Sequence, residues 1–204
     1  MATVPKAVIF DLGKVLLDFD YAITVSRVAA KCSVPSEQIL KTIDQSHWLH
    51  RYETGLMTTD QFFNEVKRLV GYRGTRADFE HAFSDVFSEI APMVAWQQRL
   101  RAAGVPTFIF SNTNELAVRH ITARFQFFSG FTGYVYSYRH GAMKPEARLY
   151  EAVERLSGCP GGVLFYLDDR LENVEGGRAR GWQAVHHVSP EQSIAAAVAA
   201  GLPG

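Results

Sequence analysis

Short apolar runs and longer helical patterns divide the chain into regions of different predicted structure. Five short, mainly apolar runs lack helical spacing, which is typical of strands buried on both faces of a parallel sheet. They lie at 6–10, 107–110, 134–137, 163–167 and 183–188. Apolar residues at helical spacing after Pro92 predict helices at 93–103, 115–125, 145–157, 172–179 and 191–200. Strands that alternate with helices predict an α/β fold with a doubly wound parallel sheet.

The region 21–90 has a different pattern. Its apolar residues recur at helical spacing and no strand pattern is seen, so we expect helices throughout. Helix starts are expected near Ser36, which is a candidate N-cap, near Thr58, and at Thr75 or Asp78. We therefore predict a helical cap at 18–91, inserted into an α/β core formed by 1–17 and 92–204. The cap would lie beside the sheet and could cover one edge of it.

Polar side chains follow three of the predicted strands. Asp11 follows the first, Ser111 and Asn112 follow the second, and the pair Asp168-Asp169 ends the fourth. Right-handed crossovers bring the carboxyl ends of parallel strands to one edge, where ligands bind in such sheets. We therefore expect these side chains to converge although they are distant in sequence.

The residue types at this edge fit phosphoryl transfer. A carboxylate such as Asp11 can attack phosphorus and form an acyl phosphate. Ser111 and Asn112 offer groups that could hold phosphoryl oxygens, and Lys144 precedes Pro145 at a predicted helix start, where an anion would be favoured. Each signal is weak alone, because a carboxylate after a strand often caps a turn and a lysine is often solvated. Their shared position is what makes them informative.

The acidic pair predicts a metal site. Asp168 and Asp169 would repel each other at a buried edge unless a cation offset their charge. Mg²⁺ suits such a site, because it binds few carboxylates together with phosphate oxygens and water. Adjacent strand residues face opposite ways, so we expect one of the two to contact the metal directly and Asn173 to orient it.

These motifs, in this order, resemble the haloacid dehalogenase-like (HAD) hydrolase superfamily, subfamily I, which carries a helical cap after its first motif. The resemblance covers nearly the whole chain. The matching residues are Asp11, Ser111, Lys144 and the DDxxxN set formed by Asp168, Asp169 and Asn173. The resemblance implies that Asp11 is the nucleophile and a Mg²⁺ ligand. It further implies that Asp169 and the backbone carbonyl of Gly13 complete the protein's metal ligands, with Asp168 in support.

Gly13 departs from the superfamily pattern. Most phosphatases of the superfamily place a second aspartate there, which protonates the leaving oxygen. The sequence Asp11-Leu12-Gly13-Lys14-Val15 instead resembles a bacterial D-x-G-x-V subgroup that includes α-D-glucose 1-phosphate phosphatases. The stretches 52–55 and 144–150 also fit that subgroup.

Loss of a positioned acid typically costs about 10²–10⁴-fold in rate. A substrate with an acidic leaving hydroxyl would need the acid less, and Asp18, Asp20 or a cap residue could replace it. The enzyme could also simply be slow. Lys14 could add positive charge near the phosphate or be solvated.

The composition of the chain bears on which kinds of binding partner are expected. Lys+Arg and Asp+Glu both number 21, which gives no support to a nucleic-acid or anionic-membrane surface. Cys32 and Cys159 form neither a disulfide framework nor a CxxC metal pair. The first residues resemble neither a signal peptide nor a membrane span, so a cytoplasmic protein, monomer or homodimer, is expected.

Several other polar residues are further candidates for roles at the site. We expect His186 and His187 to be structural. His47 and His50 could meet on one helix face and touch a substrate, although packing is favoured. Arg170 either pairs with the acids or reaches a ligand.

We therefore expect a Mg²⁺-dependent phosphatase of small phosphorylated metabolites, with sugar phosphates and sugar 1-phosphates among its candidate substrates. One alternative is a 2-haloacid dehalogenase, in which Asp11 attacks carbon. The acidic pair argues against it, because a metal site has no use there. Another is a catalytically weakened domain that binds a phosphorylated ligand or a protein partner, which only Gly13 favours.

Overall fold

The computed structural model describes residues 3–44 and 46–204, and a parallel sheet forms the centre of the described chain. The strands are β1 (Ala7–Phe10), β2 (Leu17–Phe19), β3 (Phe87–Glu89), β4 (Thr107–Ser111), β5 (Gly133–Tyr136), β6 (Leu164–Asp168) and β7 (Gln183–His186). The main sheet has the order β5-β4-β1-β6-β7, and all its neighbouring pairs are parallel. The reversal of strand order beside β1 places a ligand-binding crevice at its carboxyl end.

Helices flank the sheet and form a separate block between β2 and β3. They are α1 (Tyr21–Val28), α2 (Ser36–Ile43), α3 (His47–Glu53), α4 (Thr59–Val70), α5 (Arg76–Ser84), α6 (Ala91–Ala102), α7 (Glu115–Arg124), α8 (Ser137–His140), α9 (Ala147–Ser157), α10 (Leu171–Ala179) and α11 (Pro190–Ala199). Single 3₁₀ turns occur at Ala29–Lys31, Gln126–Gly130 and Gly161–Val163. The predicted doubly wound α/β fold is confirmed.

Helices bury both faces of β1. Val8 and Phe10 belong to a cluster with side chains of α6, α7 and α11, while Ala7 and Ile9 pack with α9 and α10. All four side chains are fully buried. This two-sided burial explains why the strand is apolar at every position rather than alternating.

The helices α1–α5 have a hydrophobic cluster of their own, which includes Phe62, Phe79 and Phe83. The Phe79 and Phe83 rings stack 5.8 Å apart, one helical turn from each other. Thr58 and Gln61 form a capping box that starts α4. We refer to this block as the cap.

Within the described residues, one strand lies in the region where none was expected. β3 pairs with β2 in antiparallel register, with Asp18 opposite Ser88. The expectation of helix alone across 21–90 is therefore wrong at this end. A three-residue strand is too short for alternation to be visible in the sequence.

The helix α2 begins at Ser36 as expected, but its predicted cap residue and one other predicted helix start are wrong. Pro35, not Ser36, is the N-cap of α2, and its carbonyl accepts from the backbone N–H groups of Gln38 and Ile39. The helix expected from Pro145 begins at Ala147, because the preceding residues form a turn. The backbone N–H of Glu146 donates to the carbonyl of Met143 in that turn.

Across the two described ranges, none of the helices combines the length and the apolar character that crossing a bilayer requires.

Candidate active site

The carboxyl edge of the sheet brings the predicted acidic residues together. Asp11 follows β1, and Asp168 ends the neighbouring β6 with Asp169 directly after it. One carboxylate oxygen from each of the three lies within 4.8 Å of the others. Ser111, at the end of β4 on the other side of β1, lines the same cleft. These side chains therefore lie close together, as the order of the strands predicts.

Lys144 lies at the centre of this group with its side chain 1% exposed. Its Nζ donates to Asp168 Oδ2 at 2.6 Å and to the carbonyl oxygen of Phe110 at 2.9 Å, and lies 3.0 Å from Asp11 Oδ1. These three contacts match the three donors of an ammonium group. Burial would lower the pKa of Lys144, but the carboxylates of Asp11 and Asp168 outweigh burial and raise it, so the amine stays charged.

Four donors surround the carboxylate of Asp168. Lys144 Nζ and Tyr166 Oη donate to Oδ2, the latter at 2.5 Å. The backbone N–H of Arg170 and Asn173 Nδ2 each donate to Oδ1 at 2.9 Å. A carboxylate has about four lone-pair sites, so these bonds occupy its accepting capacity. The role left to Asp168 is to hold Lys144 in place.

Asp169 is the less constrained member of the acidic pair. It is partly exposed to the cleft, whereas Asp168 is fully buried. Burial and the adjacent Asp168 charge raise the pKa of Asp169. Asp169 is therefore the acid of this pair that can offer an oxygen to a metal ion.

The charges at this edge do not balance. Burial and the charges of Asp168 and Asp169 raise the pKa of Asp11, although Lys144 opposes them. With all three carboxylates ionised, they and the one ammonium would carry a net charge of −2, from −3 and +1. A divalent cation held by oxygens of Asp11 and Asp169 would neutralise that charge and stabilise the ionised form of Asp11. Gly13, whose backbone carbonyl is a candidate metal ligand, lines the same cleft.

Asn112 fixes the backbone of Lys144. Its Oδ1 accepts from the Lys144 N–H at 2.8 Å, and its Nδ2 donates to the Lys144 carbonyl at 3.1 Å. Asn112 also lines the cleft, and its predicted phosphate contact stays a prediction. The Ser111 hydroxyl donates only a weak, 3.3 Å bond to the Asn112 carbonyl, which leaves it available to a ligand.

The space beside Gly13 is filled by an aromatic ring. A Cβ at this position would lie 2.8 Å from Cε1 of Phe19. Lys14, at φ 59°, places its Nζ 4.9 Å from the centre of that ring and bonds to the Phe19 carbonyl and to Asp18. Lys14 and Asp18 are 45% and 57% exposed, so this pair is held at the surface. Phe19 thus occupies the space that a side chain at position 13 would need.

The cap supplies the opposite wall of the cleft, which has a volume of about 710 Å³. Tyr21, Asp44, Leu49, His50 and Glu53 line this wall. Of the two candidate histidines of the cap, His50 lines the cleft. The ring of His47 instead contacts the ring of Trp48, with 5.5 Å between the ring centres.

Glu53, the last residue of α3, is partly buried. Burial raises its pKa to about 7; the Asn114 side chain and Arg170 oppose this rise, and Asp44 adds to it. A carboxyl group that is half protonated near neutral pH can both donate and accept a proton.

Comparison with known proteins identifies the family. A model of the haloacid dehalogenase-like hydrolase family matches residues 5–181 of the chain. The chain belongs to the haloacid dehalogenase-like hydrolase family. This confirms the resemblance drawn from the motifs at the superfamily level, while membership of the D-x-G-x-V subgroup stays a prediction.

Relatives of this hydrolase include a fungal phosphatase. The sesquiterpene phosphatase astK of Aspergillus oryzae is 26% identical over 188 residues, which are 91% of each chain.

Solved structures share the fold at lower identity. The HAD family enzyme bt-2542 of Bacteroides thetaiotaomicron, in complex with magnesium and inorganic phosphate, superposes with a TM-score of 0.79 at 19% identity over 89% of this chain and 93% of that one. The L-2-haloacid dehalogenase of Xanthobacter autotrophicus, with chloropropionic acid covalently bound, has a TM-score of 0.66 at 16% identity over 94% and 81%.

Two residues of this HAD-like hydrolase site were missed from the sequence. Tyr166 lies two positions before Asp168 on the same strand face, and this period-two spacing could have indicated the contact. Glu53 lies in the stretch 52–55 that fits the D-x-G-x-V subgroup, but a helical pattern does not show that this residue faces the cleft.

The remaining candidates have structural partners. Arg170 pairs with Glu172, His186 bonds to the Asp169 carbonyl at 2.9 Å, and His187 bonds to Ser193 at 2.7 Å.

Proposed function

We propose that this protein is a Mg²⁺-dependent phosphatase of small phosphorylated metabolites that works through an aspartyl-phosphate intermediate. The observation that carries the proposal is the buried group of Asp11, Lys144 and Asp168 beside Asp169, whose carboxylate oxygens converge at one point of the cleft. A divalent cation held by these oxygens would offset their negative charge, and together with the Lys144 ammonium it would attract a phosphate dianion.

Asp11 is placed for in-line attack on phosphorus at the end of the central strand. Its Oδ1 accepts from the Leu12 N–H at 2.7 Å and faces Lys144, so the carboxylate is fixed before substrate arrives. The Lys144 ammonium offsets negative charge that grows on the transferring oxygens. The Ser111 hydroxyl can bond another of these oxygens. When bound, Mg²⁺ supplies a further positive charge at Asp11, Asp169 and the Gly13 carbonyl.

Two relatives support phosphoryl chemistry at this site. The Bacteroides enzyme of the same fold binds magnesium and inorganic phosphate, and the fungal relative is a phosphatase. A dehalogenase shares the fold as well, so the fold alone does not choose between the two reactions. Attack on carbon gives no function to the clustered carboxylates of Asp168 and Asp169, which favours the phosphatase.

The side chains of the cap wall indicate which leaving groups the substrate could carry. Asp44, His50 and Glu53 on the cap offer hydrogen bonds that suit a sugar, which supports sugar phosphates and sugar 1-phosphates. Phe19 and Leu49 line the same cleft, and together with the sesquiterpene phosphatase relative they support an isoprenoid phosphate as the second candidate.

Phosphate release from a panel of sugar phosphates, sugar 1-phosphates and isoprenoid phosphates, with and without Mg²⁺, tests the proposal. We expect Mg²⁺-dependent release that Asp11→Asn abolishes, because the amide is not a nucleophile. Asp60→Asn, at a surface ion pair with Arg76, is the matched control and should keep wild-type activity. Halide release from 2-chloropropionate without phosphate release from any ester would contradict the proposal in favour of the dehalogenase. Tight binding of a phosphate ester without turnover would favour the binding domain.

A further inference from the structure

The missing acid at Gly13 leaves a step of the proposed reaction without a proton donor. Phe19 fills the space beside Gly13, so no neighbouring side chain replaces the acid from that position. Both downstream aspartates have other hydrogen-bonding partners, although Asp20 also lines the cleft. Asp18 accepts from Lys14 and from the Phe19 N–H, and the hydrogen bond to Lys14 lowers its pKa, which keeps it ionised. Asp20 accepts from the Ala22 N–H as the N-cap of α1.

Glu53 reaches the cleft from the cap and is tied to the loop that follows β4. Asn114 caps α7 by accepting from the Ala117 N–H through Oδ1, which directs its Nδ2 elsewhere, and its side chain hydrogen-bonds Glu53. Asn114 stands three residues after Ser111, the hydroxyl proposed to hold the phosphate. A single side chain thus links Glu53 to the phosphate-binding loop.

Contacts on both sides of Glu53 fix the end of α3 against the core. Tyr52 Oη accepts from the Leu116 N–H at 3.2 Å, in the first turn of α7. Gly55, at φ 70°, lies so close to Tyr138 that a Cβ would be 2.2 Å from its carbonyl oxygen. Only glycine allows both this backbone conformation and this approach. These contacts hold the end of α3, which carries Glu53, against the core.

We propose that Glu53 is the general acid and base of this phosphatase and replaces the aspartate that Gly13 lacks. The proposal rests on the proposed phosphatase function. In the first step Asp11 forms a bond to phosphorus, the bond from phosphorus to the leaving oxygen breaks, and the Glu53 carboxyl gives its proton to that oxygen. In the second step the Glu53 carboxylate takes a proton from water as the water oxygen attacks phosphorus. The bond from phosphorus to Asp11 then breaks, which releases inorganic phosphate and regenerates both carboxyl groups.

The surroundings of Glu53 agree with this role. Asp44 at the end of α2 and Tyr21 of α1 face it, and Arg170 faces it from the core. Burial, with a contribution from Asp44, keeps part of the Glu53 population protonated near neutral pH. His50 lies one turn earlier on the same helix and lines the cleft.

Two substrates of similar size can show whether Glu53 acts as an acid or only binds or packs. 4-Nitrophenyl phosphate releases an anion that needs no proton at neutral pH, whereas benzyl phosphate releases an alkoxide that does. We expect Glu53→Gln to lower kcat/KM for benzyl phosphate by about 10²–10⁴-fold. For 4-nitrophenyl phosphate we expect a change below about 10-fold, because kcat/KM does not report the later attack of water.

The pH profile and two further variants complete the test. In the wild-type protein, kcat/KM for benzyl phosphate should fall as pH rises through about 7, the pKa of Glu53, and Glu53→Gln should remove this fall. Glu65→Gln, on the exposed face of α4 next to Arg68, is the matched control and should change neither substrate. Glu53→Asp keeps a carboxyl group, so it should retain more kcat/KM for benzyl phosphate than Glu53→Gln does. This variant shows whether the loss in Glu53→Gln comes from the missing acid or from a folding defect.

Equal losses for both substrates in Glu53→Gln, or no loss for either, would overturn the role of Glu53 while the phosphatase function stands. If the wild-type protein released phosphate from neither ester at saturating Mg²⁺, nor from any member of the metabolite panel, the phosphatase function would fail and this proposal with it.

Discussion

The sheet edge and the cap present their polar side chains to the same cleft in different ways. At the sheet edge, Lys144 and Asp168 are fully buried, and protein groups use all their hydrogen-bonding capacity. On the cap, His50 and Glu53 are polar residues on a helix end, and Glu53 bonds to Asn114. The edge is preorganised before substrate binds, which suits the fixed chemistry of phosphoryl transfer.

The cap wall mixes polar and apolar groups, which suits recognition of a leaving group. The contrast teaches that burial and strand topology fix the position of Asp11, the proposed nucleophile, whereas the choice of substrate would depend on cap side chains that the fold constrains less. It also predicts that mutations at the two walls differ in effect. At the edge they should change stability and activity together, and at the cap they should change activity for selected substrates.

The largest expected effect is that of Lys144→Met. Removing the ammonium leaves Asp11 and Asp168 buried without a positive partner, which should lower the free energy of unfolding by about 3–5 kcal/mol and abolish phosphate release. Lys14→Met is the matched control, because the Lys14–Asp18 pair is exposed and should contribute at most about 1 kcal/mol. Urea denaturation of the metal-free proteins at neutral pH measures both. Equal, small losses in the two variants would remove the distinction between edge and surface.

An intermediate effect is expected for Gly13→Asp, which introduces a side chain where Phe19 packs. We expect it to lower the free energy of unfolding by about 1–3 kcal/mol. The Cβ of the new side chain would lie only 2.8 Å from the Phe19 ring, so the ring would have to move. Adding Phe19→Ala should relieve the clash, so the double variant should be less destabilised than the sum of the two single variants. Denaturant midpoints of all four proteins test this, and simple additivity would show that the ring does not exclude the side chain.

The smallest effect concerns the pH dependence of stability at the cap. Burial raises the pKa of Glu53 from 4.5 to about 7 in the folded protein, so the folded state binds more protons than the unfolded state between these values. The free energy of unfolding should therefore fall as pH rises through this window, by about 1 kcal/mol from Glu53 after allowance for its partial exposure.

Thermal or urea denaturation between pH 4.5 and 8 checks the sign of this change. Glu53→Gln should flatten the profile relative to wild type, while Glu65→Gln should follow the wild-type curve. A difference curve between wild type and Glu53→Gln that rises with pH would contradict the raised pKa of Glu53. It would also weaken its assignment as an acid.

Periodicity and strand order made the sheet edge predictable. Asp11 directly follows a short buried strand, and Ser111 and Asp168 each end one. Parallel topology brings such strand ends together wherever they lie in the sequence. The family resemblance placed Lys144 there as well. The cytoplasmic location and the oligomeric state stay predictions.

The cap was predictable only as a helical block. Helical spacing shows which face of α3 is apolar, but not that its last residue, Glu53, meets Asn114 of the core. That contact depends on how two distant helices approach each other. The donation from Asn112 to the Lys144 backbone was missed for the same reason, since it joins a loop to a turn 32 residues away.

The pairing of β2 with β3 has a consequence for how this architecture can change. The chain leaves the sheet toward the cap through Leu17–Phe19 and returns through Phe87–Glu89, and the two segments run side by side as one ribbon. An inserted block whose two ends are neighbours can be exchanged for another of different length with little entropic cost to the rest of the chain. The ribbon is thus a natural graft point, at which recombination can replace the cap wall while the strand that ends in Asp11 is inherited intact.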